Sequence, residues 1–258
     1  MDTQRFLRIS RLIGTKPLEQ LGASFVVIVG LGAVGSYALE ALARSGIGHF
    51  RIVDFDTVGI TNINRQLLAT ESTLGMKKVE VARRRILDIN PQALIEVLDL
   101  FAHEDTLEPI LAGNPDLLID AIDSLTPKLA LLEGAYHRKI QTISSMGAAL
   151  RRNPSLIQTG DLMDTFGCPL AKQVRTKLKR RGIGRGILTV FSPEPVEFEY
   201  KSPEEEDFPE HNGQILDRGR QRMVLGSLPT ITGMFGLRVA HESITWLLAS
   251  HRHSEAKQ

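Results

Sequence analysis

The chain reads as an α/β protein, a Rossmann-like, doubly wound and mostly parallel sheet with an antiparallel extension in its C-terminal part. Three observations carry that expectation. The run FVVIV, from Phe25 to Val29, passes directly into Gly30-Leu31-Gly32-Ala33-Val34-Gly35 and then an alanine-rich stretch, the strand, glycine turn and helix of a phosphate-binding unit. Short apolar runs alternate with amphipathic stretches through residue 150, the pattern of a parallel sheet covered on both faces. After Asn153-Pro154 that alternation gives way to short strands around one basic helix.

With 258 residues the chain can bury a sizeable core as one unit. Residues 1–22 form an N-terminal helical arm, 23–150 a nucleotide-binding half, and 151–258 the extension, basic helix, a loop over about 201–225 and a final helix. A formal charge of +1 means that a polyanionic partner must meet a local patch. One cysteine excludes an internal disulfide and a four-thiolate zinc site. The N-terminus lacks the apolar segment of a signal peptide, and no run approaches membrane-spanning length. A cytoplasmic protein without membrane contact is expected.

Taken in order, residues 5–14 place Phe6, Ile9, Leu12 and Ile13 at helical spacing, with Arg5, Arg8 and Arg11 on another face. Strand 25–29, helix 33–45 and strand 49–54 then make one βαβ unit. Its glycines let the backbone approach a phosphate, and the helix N-terminus presents free N–H groups to the charge. Asp54 follows about 20 residues after the glycines, where an acid accepts hydrogen bonds from ribose hydroxyls. The loop Asp56 to Gln66 adds Asn62 and Arg65, polar groups suited to phosphate and ribose.

Lys77 and Lys78 open a helix over 79–89. A lysine there opposes the helix dipole, which a bound phosphate would offset; an exposed lysine pair is the plain alternative. Strand 94–98 and a short helix over 103–111 lead to a buried strand, 116–120. That strand ends in Asp120-Ala121-Ile122-Asp123, two carboxylates at the mouth of the sheet. Asp123 suits a metal, or else caps the helix over 126–139, a role open to Ser124 as well. Asp120 suits local backbone structure. Strand 140–144 ends in another small-residue loop. Strands 156–161 and 186–191, with a third at 196–200, read as antiparallel additions. Between the first two, residues 172–185 concentrate Lys172, Arg175, Lys177, Lys179, Arg180, Arg181 and Arg185 without one acid, a patch suited to a phosphate backbone or simply a solvated face. The stretch 227–249 closes the chain as an apolar helical stretch interrupted by Gly233 and Gly236, which packs on the sheet or forms a subunit interface.

GLGAVGS, VDFDTVGITNINRQ, GMKKVE and LIDAIDS, in this order, resemble the ThiF/MoeB/HesA superfamily, the adenylating domain shared with ubiquitin-activating enzymes. The resemblance implies ATP and Mg2+ as cofactors. It implies that Gly30, Gly32, Ala33, Gly35 and Ile122 lie against the adenylate, that Asp54 holds the ribose beside Asp56 and Gln66, and that Asn62, Arg65 and Lys78 hold the phosphates. Asp123 would bind magnesium, and Arg8 or Arg11 would complete the site of a partner subunit in a homodimer.

Within the superfamily, the R-L-x-G terminus of the arm, the INRQ-type loop, IDAIDS followed by Pro127-Lys128, and Asp161-Leu162 to Thr165 with Pro169-Leu170-Ala171 to Arg175 are most similar to the tRNA threonylcarbamoyladenosine dehydratase branch. That similarity implies ATP-dependent activation of the threonyl carboxylate on a tRNA adenosine and ring closure with loss of water, the 172–185 segment facing tRNA. The lone Cys168 cannot supply the two Cys-x-x-Cys pairs common in sulfur-carrier branches, and a structural role for it is favoured over thiol catalysis. Besides a non-catalytic nucleotide-binding scaffold, against which the retained cation set stands, two rivals stand beside this: activation of the C-terminal glycine of a small sulfur-carrier or ubiquitin-like protein, with a sulfur-relay protein as a possible partner, and an NAD-dependent oxidoreductase. The second has no use for Asn62, Arg65, Lys78 and Asp123.

Overall fold

A computed structural model describes residues 4–196 and 225–255 of the chain. Two helices form the arm, α1 (Leu7–Ile13) and α2 (Thr15–Ala23), hinged at Gly14 with φ of 97°. Then follow β1 (Phe25–Val29), α3 (Gly35–Arg44), β2 (His49–Val53), α4 (Lys78–Ile89), β3 (Leu94–Leu98), α5 (Leu107–Leu111), β4 (Leu117–Asp120), α6 (Leu125–His137), β5 (Thr142–Ser145), β6 (Gln158–Asp161), α7 (Pro169–Arg180), β7 (Ile187–Phe191) and α8 (Pro229–Glu255).

The seven strands form one sheet in the order β3-β2-β1-β4-β5-β7-β6. Chain direction reverses its walk across the sheet between β1 and β4, whose register sets Val29 against Asp120. Loops leaving adjacent strands part there in opposite directions and open a crevice, the place where open α/β sheets bind ligands.

β1 is buried at all five positions, and its alternation feeds two cores. Val26 and Ile28 pack with Leu39, Leu42, Ala82, Ile86, Phe235 and Val239, from α3, α4 and α8. Val27 and Val29 pack with Ile110, Leu111, Leu131 and Ala135, from α5 and α6. A third cluster joins α6 and α7 through Leu129, Leu132, Val174 and Leu178. Continuous apolar strands are therefore required, because neither face is wet.

The structure corrects the reading of the extension. β7 runs parallel to β5, and β6 alone is antiparallel, pairing with β7. The connection through α7 is long enough for a parallel crossover, so the sheet continues its parallel character for one more strand. Of the expected strand at 196–200, Val196 lies outside any strand and the remainder lies outside the described residues, as does the expected loop except Leu225. The glycines of the final helix do not interrupt it. A side chain at Gly236 would meet the Val34 carbonyl at 2.4 Å, so Gly236 is where α8 crosses closest to α3. No helix among the described residues is long and apolar enough to cross a membrane.

Candidate active site

A cavity of about 790 Å³ opens at the C-terminal ends of the strands. Its first half is the glycine turn. Gly30 has φ of 92°, and its N–H donates to the Val53 carbonyl at 2.9 Å. A Cβ on Gly30 would lie 2.8 Å from the Ala121 carbonyl, so the loops after β1 and β4 approach too closely for any side chain. Gly32 and Ala33 line the cavity. Gly35 does not; a Cβ there would meet the Gly30 carbonyl at 1.8 Å. Its role is close packing of α3 against the turn, which leaves the helix N-terminus aimed into the crevice.

Asp54 stands just past β2 and is 8% exposed. Its Oδ2 accepts from the Leu31 N–H at 2.6 Å, and its Oδ1 from the Asp56 N–H at 2.9 Å. Burial pushes its carboxyl above the usual range, although the Lys78 charge opposes the shift. Each oxygen accepts one backbone N–H and retains a lone pair for a further donor such as a ribose hydroxyl.

Lys78 is 3% exposed, so the plain alternative of a solvated lysine pair does not hold for it. Its Nζ bonds Asp56 Oδ2 at 2.8 Å, whereas Lys77 turns to Asp99 and the Phe55 carbonyl, each at 3.1 Å. Asn62 is buried, and its Oδ1 accepts the Gly59 N–H at 3.1 Å, holding the loop as well as lining the cavity. Arg65 is half-buried in the wall and donates to the Thr61 carbonyl and Asn64 Oδ1. Gln66 lines the same wall, and the Leu67 N–H donates to Ser36 Oγ, which fastens this loop to α3.

Ile122 and the exposed Asp123 line the opposite wall. Ser124, not Asp123, is the residue before α6, and it makes no side-chain capping bond. The capping role is thereby removed from Asp123. Asp120 does hold backbone structure, since its Oδ1 accepts the Ile122 N–H at 3.1 Å. It is also paired with a residue to which the chain pattern assigned no role, Lys128, whose Nζ lies 2.5 Å from Asp120 Oδ2. The Asp120-to-Lys128 interval, one strand end to one helix face, was the available signal.

Arg8 and Arg11 do not enter this cavity. They are exposed on α1 and are not among the residues that line it. The second half of the cavity, walled by Met146 to Arg151 and by Cys168 to Leu170, had no advance signal beyond the small residues after β5. Cys168 is 3% exposed in the α6–α7 cluster, an apolar setting that favours the structural role. Of the basic segment, Arg175 bonds Thr165, Arg181 pairs with Glu133, and Arg185 holds Asp164 by two bonds. Lys172, Lys177, Lys179 and Arg180 remain exposed along α7.

The sheet, its glycine turn and the buried acid beside it define an α/β protein of the nucleotide-binding type. The chain belongs to the ThiF family, whose model matches residues 4–258. It is 45% identical over 190 residues to the tRNA threonylcarbamoyladenosine dehydratase of Bacillus subtilis, covering 74% of this chain and 75% of that protein. With tRNA threonylcarbamoyladenosine dehydratase 2 of Saccharomyces cerevisiae it shares 36% over 262 residues, 96% of this chain but 57% of the longer yeast protein. The crystal structure of the Escherichia coli tRNA N6-threonylcarbamoyladenosine dehydratase, TcdA, in complex with ATP superposes with a TM-score of 0.84 at 32% identity, covering 97% and 96% of the two chains.

Proposed function

We infer that this chain is an ATP-dependent dehydratase that adenylates the threonyl carboxylate of N6-threonylcarbamoyladenosine in tRNA and lets it cyclise. The observation that carries this reading is the meeting of Lys78, Arg65 and Asn62 with the Gly30 turn in one cavity. Hydride transfer has no use for Lys78, Arg65 and Asn62 beside the turn, whereas the charge that develops in phosphoryl transfer gives such donors a role.

A carboxylate oxygen of the substrate attacks the α-phosphorus, and the bond from that phosphorus to the bridging oxygen of pyrophosphate breaks. Asp54 holds the ribose, the N–H groups at the start of α3 face the phosphates, and Lys78 and Arg65 stabilise the charge that develops on the phosphoryl oxygens. The carbamoyl group of the same substrate then attacks the acyl carbon and releases AMP. Because acceptor and acyl group share one molecule, neither an enzyme thiol nor a sulfur-relay partner is needed.

Among the described residues no cluster of three metal-ligating side chains occurs. Magnesium asks for less, one or two carboxylates with phosphate oxygens and water completing its shell, and Asp123 at the cavity mouth fits that demand. The ion would neutralise phosphate charge when bound. The exposed arm arginines suit a homodimer in which Arg8 or Arg11 reaches the partner's site, and the exposed face of α7 suits tRNA. A tRNA substrate is compatible with a cytoplasmic activity.

Mass analysis of tRNA nucleosides after incubation with enzyme and ATP tests the reading. Loss of one water from the threonylcarbamoyl adenosine is expected, with AMP and pyrophosphate in equal amounts. An unchanged nucleoside, with ATP turnover instead on a Gly-Gly protein tail, would establish the carrier-activating alternative.

A further inference from the structure

The cavity is larger than the glycine turn and its cations require, and its second half has its own electrostatic character. Among the described residues that line it after Ser124 in the chain, Arg151 alone carries a charge. The loop leaving β5 delivers this residue into the wall, where it is 2% exposed. Its Nη1 donates to the main-chain carbonyl of Glu194. Its Nε is buried and has no hydrogen-bond partner among the described residues.

Such an arrangement is costly unless something completes it. A guanidinium carries five N–H donors in a fixed fork, and buried donors without acceptors are rare in folded proteins. The nearby Glu194 carboxylate does not complete it by hydrogen bonding. Its oxygens accept the Arg152 N–H, twice at 3.0 Å, and the Asn153 N–H at 3.0 Å. Those amide bonds and the arginine charges hold Glu194 below the usual carboxylate range.

We propose that this half of the cavity is the subsite for the substrate carboxylate, and that Arg151 is the cation that receives it. The inference rests on the dehydratase reading above. A carboxylate brought beside the phosphates of ATP meets like charge and loses its water, and a buried cation offsets both costs. The planar fork of arginine matches the two oxygens of a carboxylate. Met146, Gly147, Ala148 and Leu170 line the same half of the cavity, small or apolar residues that leave Arg151 as its charged group and lower the local dielectric. Lys78 is committed to Asp56 and, on the reading above, to the phosphates, and it lines the other half of the cavity.

The test uses the full chain as wild type, Arg151→Gln and Arg151→Lys. Binding is measured, with a non-hydrolysable ATP analogue present, to a tRNA bearing threonylcarbamoyladenosine and to the same tRNA with unmodified adenosine. Pyrophosphate exchange with the modified tRNA is followed in parallel. Wild type is expected to prefer the modified tRNA. Arg151→Gln should lose that preference and raise the KM for modified tRNA roughly 10- to 100-fold, with ATP affinity retained, and Arg151→Lys should recover part of both. A preference and KM unchanged in Arg151→Gln overturn the assignment alone. Loss of ATP affinity in both variants overturns it too, because Arg151 then holds the fold rather than the substrate. A wild type that neither prefers the modified tRNA nor exchanges pyrophosphate with it overturns the dehydratase reading and the subsite together.

Discussion

Lys128 and Asp120 form an ion pair with both side chains fully buried, Nζ to Oδ2 at 2.5 Å, at the end of the strand from which the Asp123 loop departs. Ser144 Oγ donates to the same carboxylate oxygen at 2.6 Å, and Nζ also donates to the Ser145 carbonyl at 2.9 Å. The pair thus ties β4, β5 and α6 together beneath the two walls of the cavity. Removing one partner leaves an uncompensated charge in a dry site, so Lys128→Met should cost about 3–5 kcal/mol. Replacing Asp120 by Asn in the same chain should recover part of that loss. Denaturant melts of the two singles and the double variant check the non-additivity.

The two ends of the glycine turn should respond differently to one added methyl. Gly35→Ala drives a Cβ to within 1.8 Å of the Gly30 carbonyl, which forces α3 off the turn and lowers the melting temperature. At Gly32 the nearest atom to such a Cβ is Gln66 Nε2 at 3.9 Å. Gly32→Ala should therefore fold normally and lose ATP affinity, because its methyl enters the space of the phosphates. Thermal melts beside calorimetric ATP titration separate the two outcomes.

Asp54 sets a pH dependence. Burial raises its carboxyl above the ordinary value of 3.8, so the folded, nucleotide-free protein binds the proton more tightly than the unfolded chain. Its contribution to stability is fully present below that ordinary value and is lost as pH rises through the raised one. ATP affinity should run the other way, because ribose hydroxyls donate to the ionised form. Affinity should fall as pH is lowered through the raised value in wild type, and Asp54→Asn should bind more weakly with a flatter profile over the same range.

Loss of the phosphate cations should act on rate more than on fold. Arg65→Ala should reduce pyrophosphate exchange by about 10²- to 10³-fold, the usual cost of one donor aimed at developing charge, with little change in melting temperature because the side chain is half-exposed. Lys78→Met should show a similar rate loss and a stability loss as well, since Asp56 is left unpaired. Asp123→Ala should abolish adenylation with the fold intact. Exchange assays paired with melts distinguish the three.

The face of α7 yields a graded expectation for tRNA. Reversing Lys177, Lys179 and Arg180, which project from the exposed side, should weaken binding and reduce the slope of log affinity against log salt by roughly 0.7–0.9 for each phosphate no longer neutralised. Reversing Arg185 should have a smaller effect on the slope, because that side chain is already held by both oxygens of Asp164.

The sequence by itself determined the βαβ unit, the place of Gly30 to Gly35 and Asp54 at one strand mouth, and the four motifs that carry the family resemblance. These are local properties: periodicity, turn chemistry and short spacings are written within a few dozen residues. Which faces meet was decided only in three dimensions. That β7 lies parallel beside β5, that Lys78 is buried against Asp56 and Lys128 against Asp120, and that Arg151 enters the same cavity as the glycine turn all depend on how the layers pack, even where the partners, as with Asp120 and Lys128, are close in the chain. Nothing in a residue's immediate neighbours encodes such a contact, because burial and charge pairing are properties of the packed layers. The glycine turn was legible as a binding element; the sheet decided what stands opposite it.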